Sequence, residues 1–167
     1  LTLLADGPGI PETVLPRLAW LRTMGIAVVP ALSVTAATGA TGGDVVEVLG
    51  VDPVGDPSAR DYQLAPSGGG ARGLLGIFEL DGVPVTEPFA DRHGLAVGGP
   101  LPLVANGVER RMKVAGILRP AGAARAASGS VVFADIATVQ EAFGRPGLLD
   151  RIDLVLPAGM PPELRDR

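Results

Sequence analysis

The chain has 167 residues, 47% of them hydrophobic and 19% charged, enough apolar material for one good core or two small ones and too few charges for a disordered chain. A formal net charge of -4 argues against a nucleic-acid partner, and the absence of cysteine excludes disulfides and thiolate sites. Glycine (24) and proline (16) together make 40 of the 167 residues, which predicts short elements and many turns, while 4% aromatics leave a core of Val, Leu, Ile and Ala.

In chain order, Leu1 to Ala5 reads as a short strand and Asp6 to Gly9 as a turn. Pro11 to Met24 predicts a helix, with Pro11 in its first turn and Gly25 just past its end. Val14, Leu18 and Leu21 line one face, with Leu15 beside them, and Pro16 is an early blemish. Ile26 to Val34 is a β-rich run, Ala36 to Gly43 a loop of small residues, and Val45 to Val51 an alternating strand that pairs with the run before it. This run from Ile26 is also the longest nearly apolar one, about half the ~20 residues needed to span a bilayer. No leader is visible and the chain does not begin with Met, so it reads as a piece excised from a longer protein.

Asp52 to Arg72 shifts in composition, with Pro53, Pro57, Pro66 and Gly68-Gly69-Gly70, and reads as a linker. Val83 to Thr86 predicts a strand and Pro88 to His93 a short helix stopped by Gly94. Leu101 to Leu118 reads as a β-hairpin, because Asn106-Gly107 suits a two-residue type I′ turn. That turn pairs Ala105 with Val108, Leu103 with Arg110 and Leu101 with Met112. It puts Leu101, Leu103, Ala105, Val108, Met112, Val114 and Leu118 on one face, and Glu109, Arg111 and Lys113 on the wet one. Pro120 to Gly129 is a second loop. Val131 to Phe133 predicts a strand, Asp135 an N-cap, and Ile136, Val139, Gln140 and Phe143 the inner face of a helix ended by Gly144. Arg151 to Leu156 is a last strand, with Ile152, Leu154 and Leu156 on one face. Helix-then-strand thus occurs near both chain ends, which suggests two such units side by side on one sheet with the middle of the chain inserted.

No catalytic, cofactor-binding or metal-ligating set emerges. His93 is the only histidine, so a His-rich metal site is impossible, and it reads as a surface or capping residue at a helix end. Asp81, Glu87 and Asp91 lack apolar flanks that would raise a carboxyl pKa and read as solvated loop charges. The glycines around Gly68 to Gly73 lack the Lys-Ser/Thr of a P-loop and the spacing of a dinucleotide fold. Glu109, Arg110, Arg111 and Lys113 read as a charged, aggregation-resistant edge rather than an anion site.

A resemblance joins these pieces. Gly94-Leu95, Val97-Gly98, Val114 to Ile117, Ala137-Thr138-Val139-Gln140 and Phe143-Gly144, in that order, resemble the extracytoplasmic domain of ABC-transporter permeases of the MacB/FtsX/LolC type. Leu49-Gly50-Val51-Asp52-Pro53 and Gly9-Ile10-Pro11-Glu12 fit the same pattern, and Gly99 stands where that family often has Asp. The resemblance implies an α+β fold: a porter-like subdomain of βαβ units from 1–52 plus 130–167, a flexible linker over 53–73, and a smaller β-rich subdomain inserted over 74–129. It implies membrane helices before Leu1 and after Arg167, with both termini at a membrane-facing end on the extracytoplasmic side. It further implies no enzymatic activity in this domain and no cofactor, with ATP hydrolysis on a separate nucleotide-binding subunit or domain. The implied partners are that subunit, a second permease copy or paralogue, and an exported or extracted substrate (lipoprotein, lipid or peptide) or an extracytoplasmic partner protein. The residues alone leave open a small secreted hydrolase or a secreted binding module.

Overall fold

The computed structural model describes residues 1–39, 43–52, 62–64, 82–120 and 131–157. Eleven strands form here: β1 (Thr2–Leu4), β2 (Ile10–Pro11), β3 (Ala27–Thr38), β4 (Val45–Val51), β5 (Tyr62–Leu64), β6 (Gly82–Thr86), β7 (Pro100–Ala105), β8 (Val108–Pro120), β9 (Val131–Asp135), β10 (Leu148–Leu149) and β11 (Arg151–Val155). Three α-helical segments accompany them: α1 (Leu15–Leu18), α2 (Glu87–His93) and α3 (Ile136–Ala142). The fold is mixed and sheet-dominated α+β.

Nine strands make one sheet that branches at β3. The first part of β3 pairs antiparallel with β11, from Ala27↔Val155 to Ala31↔Arg151, and β1 adds outside β11. Further along, β3 pairs with β4, and at Ala37↔Val104 and Thr38↔Leu103 its other side passes to β7. β7 pairs with β8, β8 runs parallel to β6, β6 meets β9 at Val85↔Val132, and β9 runs parallel to β4. The succession β3–β4–β9–β6–β8–β7 therefore returns to β3, and six strands close into a barrel. Closure removes the unpaired edges that those strands would otherwise present.

Side-chain alternation fills this barrel. Leu32, Val34 and Ala36 of β3, Val46 and Val48 of β4, Val132 and Ala134 of β9, Val83 and Val85 of β6, Met112 and Val114 of β8, and Leu101, Leu103 and Ala105 of β7 form one buried cluster. Phe89 and Ala90 of α2 and Val139 and Phe143 of α3 join it. A second cluster lies beside β1, β11 and β3, where Leu21, Ile26, Val28, Leu149 and Ile152 are buried against Val14, Leu15, Leu18 and Ile136. Residues from both chain ends thus share one core, and the barrel interior draws on 1–52, 74–129 and 130–167 alike. The boundaries expected at 73/74 and 129/130 fall outside the described residues. Of the expected linker, Tyr62–Leu64 pairs with Leu118–Pro120.

The hairpin has the expected register, with Asn106 (φ 50) and Gly107 (φ 76) both left-handed. Val108 and Leu118 depart from the expected inner face: Val108 sits at the tip and is 43% exposed, and Leu118 packs with Val51 and Phe133 while Ile117 faces the barrel core, after the β6–β8 register shifts at Val83/Pro84. The helix expected over Pro11 to Met24 is instead broken. Pro11 belongs to β2, paired with Leu148, and 3-10 turns over Glu12–Val14 and Ala19–Met24 flank a single α turn. Pro16 explains the break, since its ring obstructs α geometry at the preceding turn and it has no N–H to donate. Gly25 (φ 76) ends the segment as expected. β3 also runs on through Ala36 and Thr38, both buried, where a loop was expected. Small side chains there let β3 pack inside the barrel mouth as it leaves β11 for β7.

Candidate functional site

The titratable residues singled out in the sequence do not converge. His93 is in the last turn of α2 as expected, yet it is not a surface residue: its side chain is only 9% exposed and its ring lies tilted by 52° against Phe89, with centroids 4.6 Å apart. Its Nε2 lies 3.3 Å from Asp44 Oδ2, close enough for a charge contact, but out of line for a hydrogen bond. Glu87 is tied to Arg119 Nε at 2.8 Å and Asp91 is exposed on the same helix, while Asp81 and the Gly68 to Gly73 run lie outside the described residues. Of the hairpin charges, Glu109 pairs with Arg111 at 3.2 Å. Arg110 turns away and donates to the Ala142 carbonyl at 2.9 Å, a cation at the C-terminus of α3. Among the described residues no three His, Asp or Glu side chains gather as a metal site would need.

Several quoted motif residues have a structural task instead. Gly94 (φ 61) closes α2, and the Leu95 N–H donates to the Ala90 carbonyl while its side chain packs on the barrel core. The Gly98 N–H donates to the Val114 carbonyl at 2.7 Å, and Val114 donates back to Gly99 at 2.9 Å, so this turn is stitched to β8. Asp135 accepts from the Ala137 N–H at 2.8 Å as the expected N-cap of α3. A Cβ on Gly50 would lie 3.2 Å from Ile136 Cα and 3.2 Å from Val139 Cγ2, so α3 rests directly on the β4 backbone.

One pole of the molecule gathers both ends of the described chain. The Leu1 nitrogen donates to the Leu154 carbonyl at 3.2 Å, and Leu154 N–H donates to Leu1 at 2.7 Å. Thr2 Oγ1 donates to Asp153 Oδ1 at 2.6 Å, and β3 starts opposite Val155. Gly25 lies within reach of Pro157, a Cβ there being 3.7 Å from its ring. The chain therefore enters, turns into β3 and leaves β11 at one place. The other end of β11 is held by a clamp that sequence reasoning missed. Arg145 meets Asp150 Oδ1 at 2.7 Å and donates to the Pro8 carbonyl at 2.8 Å, while Asp150 Oδ2 accepts from the Ser33 N–H at 2.8 Å. Beside it the buried Gln140 amide donates to Glu12 Oε2 at 3.1 Å and to the Leu148 carbonyl at 3.2 Å. Three of these bonds, Arg145 to Pro8, Ser33 to Asp150 and Gln140 to Glu12, join residues 137, 117 and 128 positions apart in sequence.

No family model matches the chain. A curated relative, the uncharacterized ABC transporter permease protein Rv0987 of Mycobacterium tuberculosis, is 29% identical over 121 residues, covering 69% of this chain and 14% of its own length. The chain thus spans about a seventh of that relative. The extracellular domain of the noncanonic ABC-type transporter YknZ from Gram-positive bacteria superposes with a TM-score of 0.63, at 11% identity, over 92% of this chain and 76% of that one. The periplasmic region of MacB from Actinobacillus actinomycetemcomitans superposes with a TM-score of 0.61, at 10% identity, over 99% and 77%. The chain has the fold of these extracytoplasmic transporter domains, and its sequence is similar to an ABC transporter permease.

Proposed function

We propose that this chain is the extracytoplasmic domain of an ABC transporter permease, a passive element that carries ATP-driven motion to a substrate or partner outside the membrane. The observation that carries the reading is the shared pole: both ends of the described chain meet there, where one pair of backbone hydrogen bonds joins Leu1 to Leu154 and back. A domain hung between two membrane segments needs that arrangement. The shared fold with MacB and YknZ domains and the permease relative support it.

In this reading ATP is hydrolysed on a separate subunit or domain, and the permease works with a second copy or paralogue. The moved object is a lipoprotein, lipid or peptide, or a partner protein to be switched. The segments 1–52 and 130–167 form a porter-like base of two βαβ units, and 74–129 is an insertion joined through 53–73. The base has its own small core around Leu21, Ile152 and Leu149, and the shared barrel couples the insertion to it rigidly. Movement at the base would then pass to the hairpin without loss in a soft joint.

Because these 167 residues hold no cysteine, a thiol engineered into them reports the domain's location when the unsubstituted full-length protein is labelled in parallel as the background. Asp91→Cys, on the exposed side of α2, is introduced into the full-length protein and intact cells are treated with a membrane-impermeant maleimide. Labelling of intact cells is expected. Labelling only after lysis would overturn the reading.

A further inference from the structure

The second core leaves one side of residues 12–24 uncovered. Val14, Leu15, Leu18 and Leu21 face the core, while Arg17, Trp20, Arg22 and Met24 are exposed to solvent. Trp20 is the only tryptophan of the chain and is 59% exposed, which is a poor place for a large ring in water. Met24 (43%), Val155 (45%) and Leu1 (74%) are exposed as well; Leu1 and Val155 belong to the pole where both ends of the described chain meet, and Gly25, next to Met24, lies against Pro157 there. Among the described residues neither Arg17 nor Arg22 has an ion-pair partner, and no Asp or Glu occurs between Glu12 and Asp44. In a chain of net charge -4, this face is locally cationic.

We infer that this face rests on an anionic lipid bilayer surface, with Trp20 and Met24 in the headgroup layer and Arg17 and Arg22 against lipid phosphates. The inference rests on the extracytoplasmic reading above, which puts the terminal pole beside the membrane. An exposed Trp next to an apolar residue is the side-chain chemistry favoured at membrane–water interfaces. Unpaired arginines supply complementary charge to anionic lipid. A second protein copy is the poorer occupant, because two such faces would bring the four arginines together without a carboxylate between them. The consequence is a domain with a fixed stance: the base lies on the lipid and tilts about it when the neighbouring membrane segments move.

Trp20 is its own probe. The chain, anchored through a C-terminal tag to vesicles of phosphatidylcholine with or without phosphatidylglycerol, is excited at its lone indole. On phosphatidylglycerol vesicles a blue-shifted emission, quenched by bromine-labelled lipid and reversed by salt, is expected. Arg17→Gln with Arg22→Gln should lower partition of the unanchored chain onto the same vesicles by about thirtyfold, about fivefold per charge. Both substitutions are on exposed side chains outside the core, and an unchanged unfolding midpoint shows that the fold is kept. An unmoved emission on the anchored chain overturns the inference. So does a blue shift that appears with protein concentration in the absence of lipid, which would mean that the face pairs with itself. The thiol-labelling experiment tests the extracytoplasmic reading separately, so a domain labelled outside whose Trp20 ignores lipid loses only this inference.

Discussion

Gly50 shows how closely single atoms are fitted here. Its backbone has no unusual φ, and the constraint is space: Ile136 and Val139 of α3 stand where a side chain would go. Gly50→Ala should cost ~1–3 kcal/mol through overpacking, with the urea midpoint lowered and the slope unchanged. Gly107 is the opposite case. Nothing stands within 4 Å of its absent Cβ, and the constraint is φ 76 alone. At the start of α3, Asp135→Ala should cost ~1 kcal/mol, and Asp135→Asn should recover most of it because the amide oxygen can still accept from the Ala137 N–H. Thermal or urea unfolding of the two variants side by side checks this.

Among elements, those whose signals are contiguous were legible in the sequence. The Asn106-Gly107 turn set the hairpin register, Gly25 and Gly94 ended their helical segments, and Asp135 opened α3, because each depends on a few adjacent residues. Barrel closure was not legible. It rests on Ala37 meeting Val104 and on β6 lying between β8 and β9, pairings that no local pattern encodes. β6 is buried on both faces and so shows no alternation. His93 was misjudged in part for the same reason: Phe89 is its neighbour one turn back on α2, but Asp44 reaches it only once β3 and β4 are in place. The Arg145 clamp is invisible in sequence, yet it fastens the segment at Pro8 and the start of β11 together. Arg145→Ala should lower stability by ~1–2 kcal/mol, since the pair is partly buried and charge-assisted. It should also speed amide exchange at Ser33, whose N–H depends on Asp150 staying in place.

For the whole molecule, the closed barrel makes stiffness testable. Ala37→Cys with Val104→Cys places one thiol on each of two paired strands in a chain with no other cysteine. The oxidised form should unfold later, by the ~2–4 kcal/mol of a typical disulfide. If the barrel moves as one body, oxidation of the full-length variant leaves its activity as intact as that of the unsubstituted protein treated alike, and a loss of activity seen only in the variant and reversed by a reductant would mean that β3 and β7 part during the cycle. The antiparallel seam between β1 and β11 has a mechanical consequence of its own. Its two strands leave the molecule side by side at Leu1 and Leu154, so a force that spreads them apart loads the hydrogen bonds one after another, like a zip opened from its free end. A force that lifts both strands together loads none of them. Such a fastening tolerates a piston stroke and yields first to separation of its two anchors.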